Sequence, residues 1–165
     1  MELFYQPEVQ RVQRIPSVEA LLEEVCSVTG MGFAAIAHVT SERWVACQVL
    51  DRVEFGLNPG DELDIKTTIC DGIRESGRSV FIDQVSLDTE WRRHPIPALY
   101  GFESYVSVPI VLPDGNFFGT LCAIDPVATT VRLADVMVQV EAMAQTIAHE
   151  LGRQSGRSVE GQDQA

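Results

Sequence analysis

Two apolar runs, Ser104–Leu112 and Asn116–Ile124, are separated only by Pro113, Asp114 and Gly115. Proline presets φ for a turn and glycine accepts a positive φ, so this stretch predicts a tight hairpin. A turn this short joins strands only if they run antiparallel. Phe33–Val39 and Trp44–Leu50 repeat the arrangement around the polar turn Thr40–Arg43. Phe33–Ala37 is almost wholly apolar, as expected of a central strand covered on both faces. The chain is therefore expected to form an antiparallel sheet from hairpins, and the remaining segments must cover it.

Helical patterning flanks these strands. Ser17 reads as an N-cap with Glu19 in the first turn, and Val18, Leu21, Leu22, Val25 and Val28 fall on one face before Gly30. Leu133, Met137, Val140, Ala144, Ile147 and Leu151 form a second stripe. Between the two hairpins, Asp51–Asp64 reads as a loop. Thr67–Ser76 reads as a short helix capped by Thr67 or Thr68 and stopped by Gly77. Ser79–Asp83 follows as a short strand. Val85–Tyr100 is polar and irregular, and long connections of this kind are often functional. Residues 1–16 read as an N-terminal extension, 17–151 as the domain, and 152–165, rich in Gly, Ser, Gln and charge, as a disordered tail. The expected fold is α+β: an antiparallel sheet with the terminal helices on one face and the middle segment on the other.

Composition narrows the function classes. At 165 residues the chain has room for one domain. No apolar run approaches the ~20 residues of a membrane span. The N-terminus, MELFYQPEVQ, lacks the basic and apolar regions of a signal peptide, so a cytoplasmic protein is expected. The net charge of −12 and a single lysine, Lys66, argue against nucleic acid and anionic membrane as partners. Cys26, Cys47, Cys70 and Cys122 show no metal-binding spacing and read as reduced, buried thiols. His38, His94 and His149 share no metal spacing either, so no metal and no cofactor are identified. There is no kinase nucleotide motif, cyclase signature, DNA-binding helix pair or nucleophile elbow.

Three segments carry a family resemblance. Tyr105–Ile110 (YVSVPI) followed by Phe118–Asp125 (FGTLCAID) resembles the closing strands of a GAF domain. Thr68–Asp83 (TICDGIRESGRSVFID) resembles the helix and strand before that family's lid loop, and Ala98–Ser104 (ALYGFES) resembles the lead-in to the next strand. The likeness covers roughly residues 17–151 and points to a subgroup found ahead of bacterial signalling kinases. It implies a sensory, regulatory module of the two-component type, with a small-molecule pocket between sheet and middle segment. It also implies terminal helices that pair as a homodimer and pass the signal to an output partner.

The candidate pocket residues are Trp44, Thr67, Cys70, Trp91, His94, Tyr100 and Tyr105, aromatic walls with a few polar groups as ligand sites require. The alternative for each is ordinary core packing. The start of the helix near Thr68 has free N–H groups for an anion, but Asp71 in its first turn already answers the dipole. The stripe from Leu133 to Leu151 suits a dimer seam, and it equally suits a helix lying on its own sheet. Two further readings share the fold. A cysteine-dependent reductase of free methionine sulfoxide would use Cys70, yet Phe81–Gly101 contains no second cysteine, and only the fold could bring Cys47 or Cys122 to it. Asp71 beside Cys70 and the apolar Ile69 and Ile73 are expected to raise its pKa. A ligand-free dimerisation module is the other. Covalent bilin is not expected, because no Cys-His pair exists.

Overall fold

The computed structural model describes the backbone of residues 7–164 and the side chains of residues 7–154. Six strands form one sheet: β1 (Phe33–Val39), β2 (Trp44–Asp51), β3 (Glu62–Leu63), β4 (Val80–Ile82), β5 (Ser104–Val111) and β6 (Phe117–Asp125). Their spatial order is β3-β2-β1-β6-β5-β4, and every neighbouring pair is antiparallel. The predicted Pro113–Gly115 turn closes the β5–β6 hairpin, with Gly115 at φ 90°. The fold is α+β, as the sequence predicts.

Alternation along the strands divides their side chains between two layers. Ala34 and Ile36 of β1, Val106, Val108 and Ile110 of β5, and Leu121 and Ala123 of β6 pack beneath three helices. These are α1 (Pro7–Gln13), α2 (Val18–Thr29) and α5 (Leu133–Gln164). The opposite face lies under α3 (Cys70–Ser76), α4 (Pro95–Tyr100) and the loops around them. A bulge in β2 serves this second face. Ile36 pairs with Gln48 and Ala37 with Ala46, so Cys47 is the extra residue. Trp44 and Ala46 precede it and Val49 follows it, and all three pack on the α3 side. Without the inserted residue, strand alternation would turn Val49 to the other face.

Several local readings change. Ser17 makes no side-chain capping bond. Neither Thr67 nor Thr68 caps α3: a 3-10 turn over Ile65–Thr67 intervenes, capped by Asp64, and both threonine hydroxyls donate to carbonyls of that turn. Residues 7–16 are more than an extension, because Val9, Val12 and Ile15 are buried in the helix-side core. The boundary read at residue 152 moves as well, since α5 is helical on to Gln164. Gly152 does not end the helix. A Cβ there would lie 2.9 Å from Pro113, so this glycine permits the close approach of the hairpin turn.

The dimer seam is also corrected. Leu133, Val140, Ala144, Ile147 and Leu151 are buried against the protein's own sheet and α2, with Met137 half-buried beside them. The stripe is spent on intramolecular packing and offers no free face. No helix among the described residues is long and apolar enough to cross a membrane.

Candidate functional site

Four elements meet on the α3 side of the sheet. β6 turns Thr120 and Cys122 to this face, β5 turns Tyr105 and Ser107, β2 brings Trp44, and α3 brings Cys70, its first residue. All six side chains are buried. Cys70 Sγ lies 3.2 Å from Thr120 Oγ1, 3.7 Å from both Ser107 Oγ and Tyr105 Oη, and 3.9 Å from Cys122 Sγ. Thr120 Oγ1 is also 3.1 Å from Cys122 Sγ.

This is a ring of hydroxyl and thiol groups around one sulfur, and it separates the two thiols. The Cys122 thiol as donor to Cys70 lowers the Cys70 pKa. Burial opposes it, and Thr120, Ser107 and Trp44 reinforce it. Cys122 moves upward for the reciprocal reason, since its proton is held between the sulfurs and burial disfavours its charge. The expected upward shift at Cys70 is therefore reversed. Asp71 is paired with Arg74 at 2.9 Å, and the setting is richer in donors than Ile69 and Ile73 suggest. The other thiols behave as buried thiols should: burial pushes Cys47 to about 12 and raises Cys26. All four cysteines are free and buried.

A cavity of about 50 Å³ opens above this cluster. Its walls are mostly apolar, with Phe33, Phe55, Ile96 and Phe102 among them, and Trp44, Cys70 and Tyr105 at the floor. Trp44 is 4% exposed, and its indole N–H finds no partner at good hydrogen-bond geometry, though it lies near enough to the Cys70 sulfur to favour that sulfur's charged form. An indole nitrogen can only donate, so beside this apolar cavity it is a donor left without a well-placed acceptor. A surface groove of about 430 Å³ adjoins the cavity, and Phe55, Leu57, Tyr100 and Phe102 belong to both. Tyr100 stands at the junction, its ring 6.2 Å from that of Phe55 and its hydroxyl 2.5 Å from Thr67 Oγ1. Asp51 shapes the groove wall by accepting from the N–H groups of Val53, Phe55 and Gly56.

Of the seven residues singled out from the sequence, Trp44, Cys70, Tyr100 and Tyr105 come together at this cavity. Thr67 touches it only through Tyr100. Trp91 and His94 lie elsewhere. Their ring centroids lie 4.7 Å apart at a tilt of 49°, Trp91 lines a separate groove with Arg78 and Ser79, and His94 Nδ1 caps α4 by accepting from Ile96 N–H. The sequence reading passes over Ser107 and Thr120, and leaves open whether Cys47 or Cys122 approaches Cys70; the structure brings Cys122. A signal for them existed: they are the polar positions of otherwise apolar strands, and β-alternation puts Thr120 and Cys122 on one face. The ligand-sized cavity expected from the resemblance is, in its inner part, much smaller than the ~300 Å³ at which pockets for drug-sized ligands begin.

Residues 14–154 match the family model of the GAF domain. The chain belongs to the GAF domain family. Among solved structures, the GAF domain of PixJ from Thermosynechococcus elongatus, in its blue-light-absorbing form, superposes with a TM-score of 0.69 at 13% identity, covering 96% of this chain and 95% of that one. The GAF region of a membrane protein from Geobacter sulfurreducens gives 0.66 at 16% identity, covering 88% and 95%. The free methionine-R-sulfoxide reductase of Neisseria meningitidis gives 0.61 at 16%, covering 89% and 82%. At such identities the likeness establishes the GAF fold and leaves function to the site itself. No curated protein sequence matches significantly.

Proposed function

We propose that this GAF domain is a cytoplasmic sensory module that holds a small, largely apolar molecule and signals through its terminal helices to a two-component output partner. The observation that carries the reading is the buried Trp44 N–H, without a well-placed acceptor, at the floor of an apolar cavity. Leaving a buried donor unsatisfied costs about 1–3 kcal/mol, which a ligand carrying one hydrogen-bond acceptor would recover. Such a molecule would seat its acceptor end on Trp44 and extend past Tyr100 into the outer groove.

The route to the output helix is short. Asp83, just beyond β4, accepts from the backbone N–H of Leu133, the first residue of α5, and Ser79 Oγ donates to Glu141 Oε2 on the same helix. The segment that follows α3 and carries β4 thus also caps the helix that would carry the signal. A homodimer, on this reading, pairs the outward face of α5, where Val138 is 79% exposed. The test is native mass spectrometry of the protein purified from its own host. A bound mass retained under native spray, lost on denaturation and diminished in Trp44→Phe supports the proposal. An unliganded wild-type protein from that source counts against it.

One observation favours a second reading, cysteine-dependent reduction of free methionine sulfoxide: Cys122 lies 3.9 Å from Cys70. The cavity of about 50 Å³ speaks against it, because the amino acid must reach the sulfur. Consumption of free methionine sulfoxide with a thioredoxin system, abolished in Cys70→Ala, would favour the reductase over the sensor.

A further inference from the structure

We propose that Cys70 and Cys122 form a redox-modification site in which a small peroxide, admitted to the cavity, oxidises the two thiols to a disulfide joining α3 to β6. The argument rests on geometry. The sulfurs lie 3.9 Å apart on two different elements, so a rotation about side-chain bonds, with a small adjustment of the seven-residue helix α3, brings them into bonding range. Both sulfurs line the cavity of about 50 Å³. A water needs ~10–15 Å³ measured in this way, so hydrogen peroxide fits, while a peptide disulfide or an amino-acid sulfoxide does not.

The surrounding groups favour attack by Cys70. Thr120, Ser107, Tyr105 and the Cys122 thiol all lie within reach of its sulfur and each can donate, so negative charge developing on Sγ is met by donors. Cys26 and Cys47 have no such ring: both pack in the helix-side core, and burial holds both as neutral thiols. The site therefore selects one pair out of four buried cysteines.

The chemistry balances in two steps. Cys70 sulfur attacks one oxygen of hydrogen peroxide; an S–O bond forms, the O–O bond breaks, and the departing hydroxide takes the Cys70 proton as water. Cys122 sulfur then attacks Cys70 sulfur; the S–S bond forms, the S–O bond breaks, and hydroxide leaves with the Cys122 proton as a second water. The two thiols lose two electrons and the peroxide gains them. The product ties the first turn of α3, part of the pocket's cover, to the central strand β6. It places a disulfide beside the Trp44 indole.

The test uses the folded wild-type protein and hydrogen peroxide. Titration of thiols after denaturation should show a loss of two of the four cysteines, restored by dithiothreitol. Peptide mapping should show Cys70 linked to Cys122. In a Trp91→Phe background Trp44 is the only tryptophan, and its fluorescence should fall on oxidation and recover on reduction. Cys122→Ser should stop at a sulfenic acid on Cys70, trapped by dimedone, and Cys70→Ser should give no linked peptide. The proposal is overturned if linkage in the wild-type protein involves Cys26 or Cys47. It is equally overturned if the folded protein keeps all its thiols under peroxide that oxidises the urea-unfolded chain, or if thiol loss is not reversed by dithiothreitol. The wild-type mapping decides the matter even where a variant fails to fold.

Discussion

The two faces of the sheet use the same strands to opposite ends. On the helix side, Leu121, Ala123, Val108 and Ile110 meet α2 and α5 in a continuous apolar core. On the α3 side, their immediate neighbours Thr120, Cys122, Ser107 and Tyr105 carry hydroxyls and thiols, and the covering elements are one- and two-turn helices that leave space. The first face follows the rule that interiors are close-packed. The second gives up part of that packing and keeps donors where an apolar core would have none. The difference assigns roles: the helix face holds the fold, and the α3 face is free to respond to what enters it.

The most damaging test of this contrast is Val140→Glu. Had the α5 stripe been a dimer seam, this change would weaken association and spare the monomer. With Val140 buried in its own core, it places an unpaired charge there, and loss of the fold is expected, at a cost above ~4 kcal/mol. Circular dichroism and soluble yield decide. Next comes a matched pair on one strand. Leu121→Ala, facing the helices, should cost about 3–4 kcal/mol, while Ile124→Ala, beside the existing cavity, should cost nearer 2, because its side chain has fewer atoms packed around it. Equal values by urea denaturation would erase the distinction between the faces.

Asp83→Ala removes the cap that the α3-side segment lends to α5, and a loss of about 1 kcal/mol is expected. Hydrogen exchange should show the increase concentrated in the first turn of α5. An increase spread over the whole domain would argue against a local link between the two faces. Asp51→Asn tests the groove wall with an effect of similar size, about 1 kcal/mol. Burial raises the Asp51 pKa, and the backbone N–H groups of Gly56, Phe55, Val53 and Glu54 more than reverse that, leaving it below the usual carboxylate range. A carboxylate with a lowered folded pKa contributes stability above its unfolded pKa of ~3.9, and that contribution is lost as pH falls through the folded value. The variant should therefore lose less stability than the wild type on acidification below about pH 4. Parallel pH curves would remove Asp51 from the account. The smallest effect is expected for Val138→Glu, on the outward face of α5: a change in stability within ~0.5 kcal/mol, with weaker self-association by sedimentation at micromolar concentration. A wild-type protein that sediments as a monomer under those conditions refutes the homodimer.

Five of the six strands, their antiparallel pairing and the two-layer plan were legible in the residues, while β3 falls inside the stretch Asp51–Asp64 that reads as a loop. They follow from local signals: apolar alternation, a Pro-Asp-Gly turn, and Gly30 and Gly77 at helix ends in the left-handed region. The family resemblance drew on the same segments. The site was only partly legible. Cys70, Trp44, Tyr100 and Tyr105 were within reach because aromatic and thiol side chains stand out in such a segment, whereas Trp91 and His94 stood out equally, yet Trp91 lines another groove and His94 caps α4.

What escaped the sequence were relations across distance. The extra residue at Cys47 that turns Val49 to the α3 side, the cap from Asp83 to Leu133, and the approach of Cys70 to Cys122 each join segments whose meeting no local pattern encodes. The α5 stripe makes the point most sharply. Its spacing determined that one face of the helix had to be covered by something apolar. Hydrophobic burial is non-directional and does not distinguish a second chain from the protein's own sheet. Only the tertiary structure, by laying Val140, Ile147 and Leu151 on that sheet, decided which surface covers it.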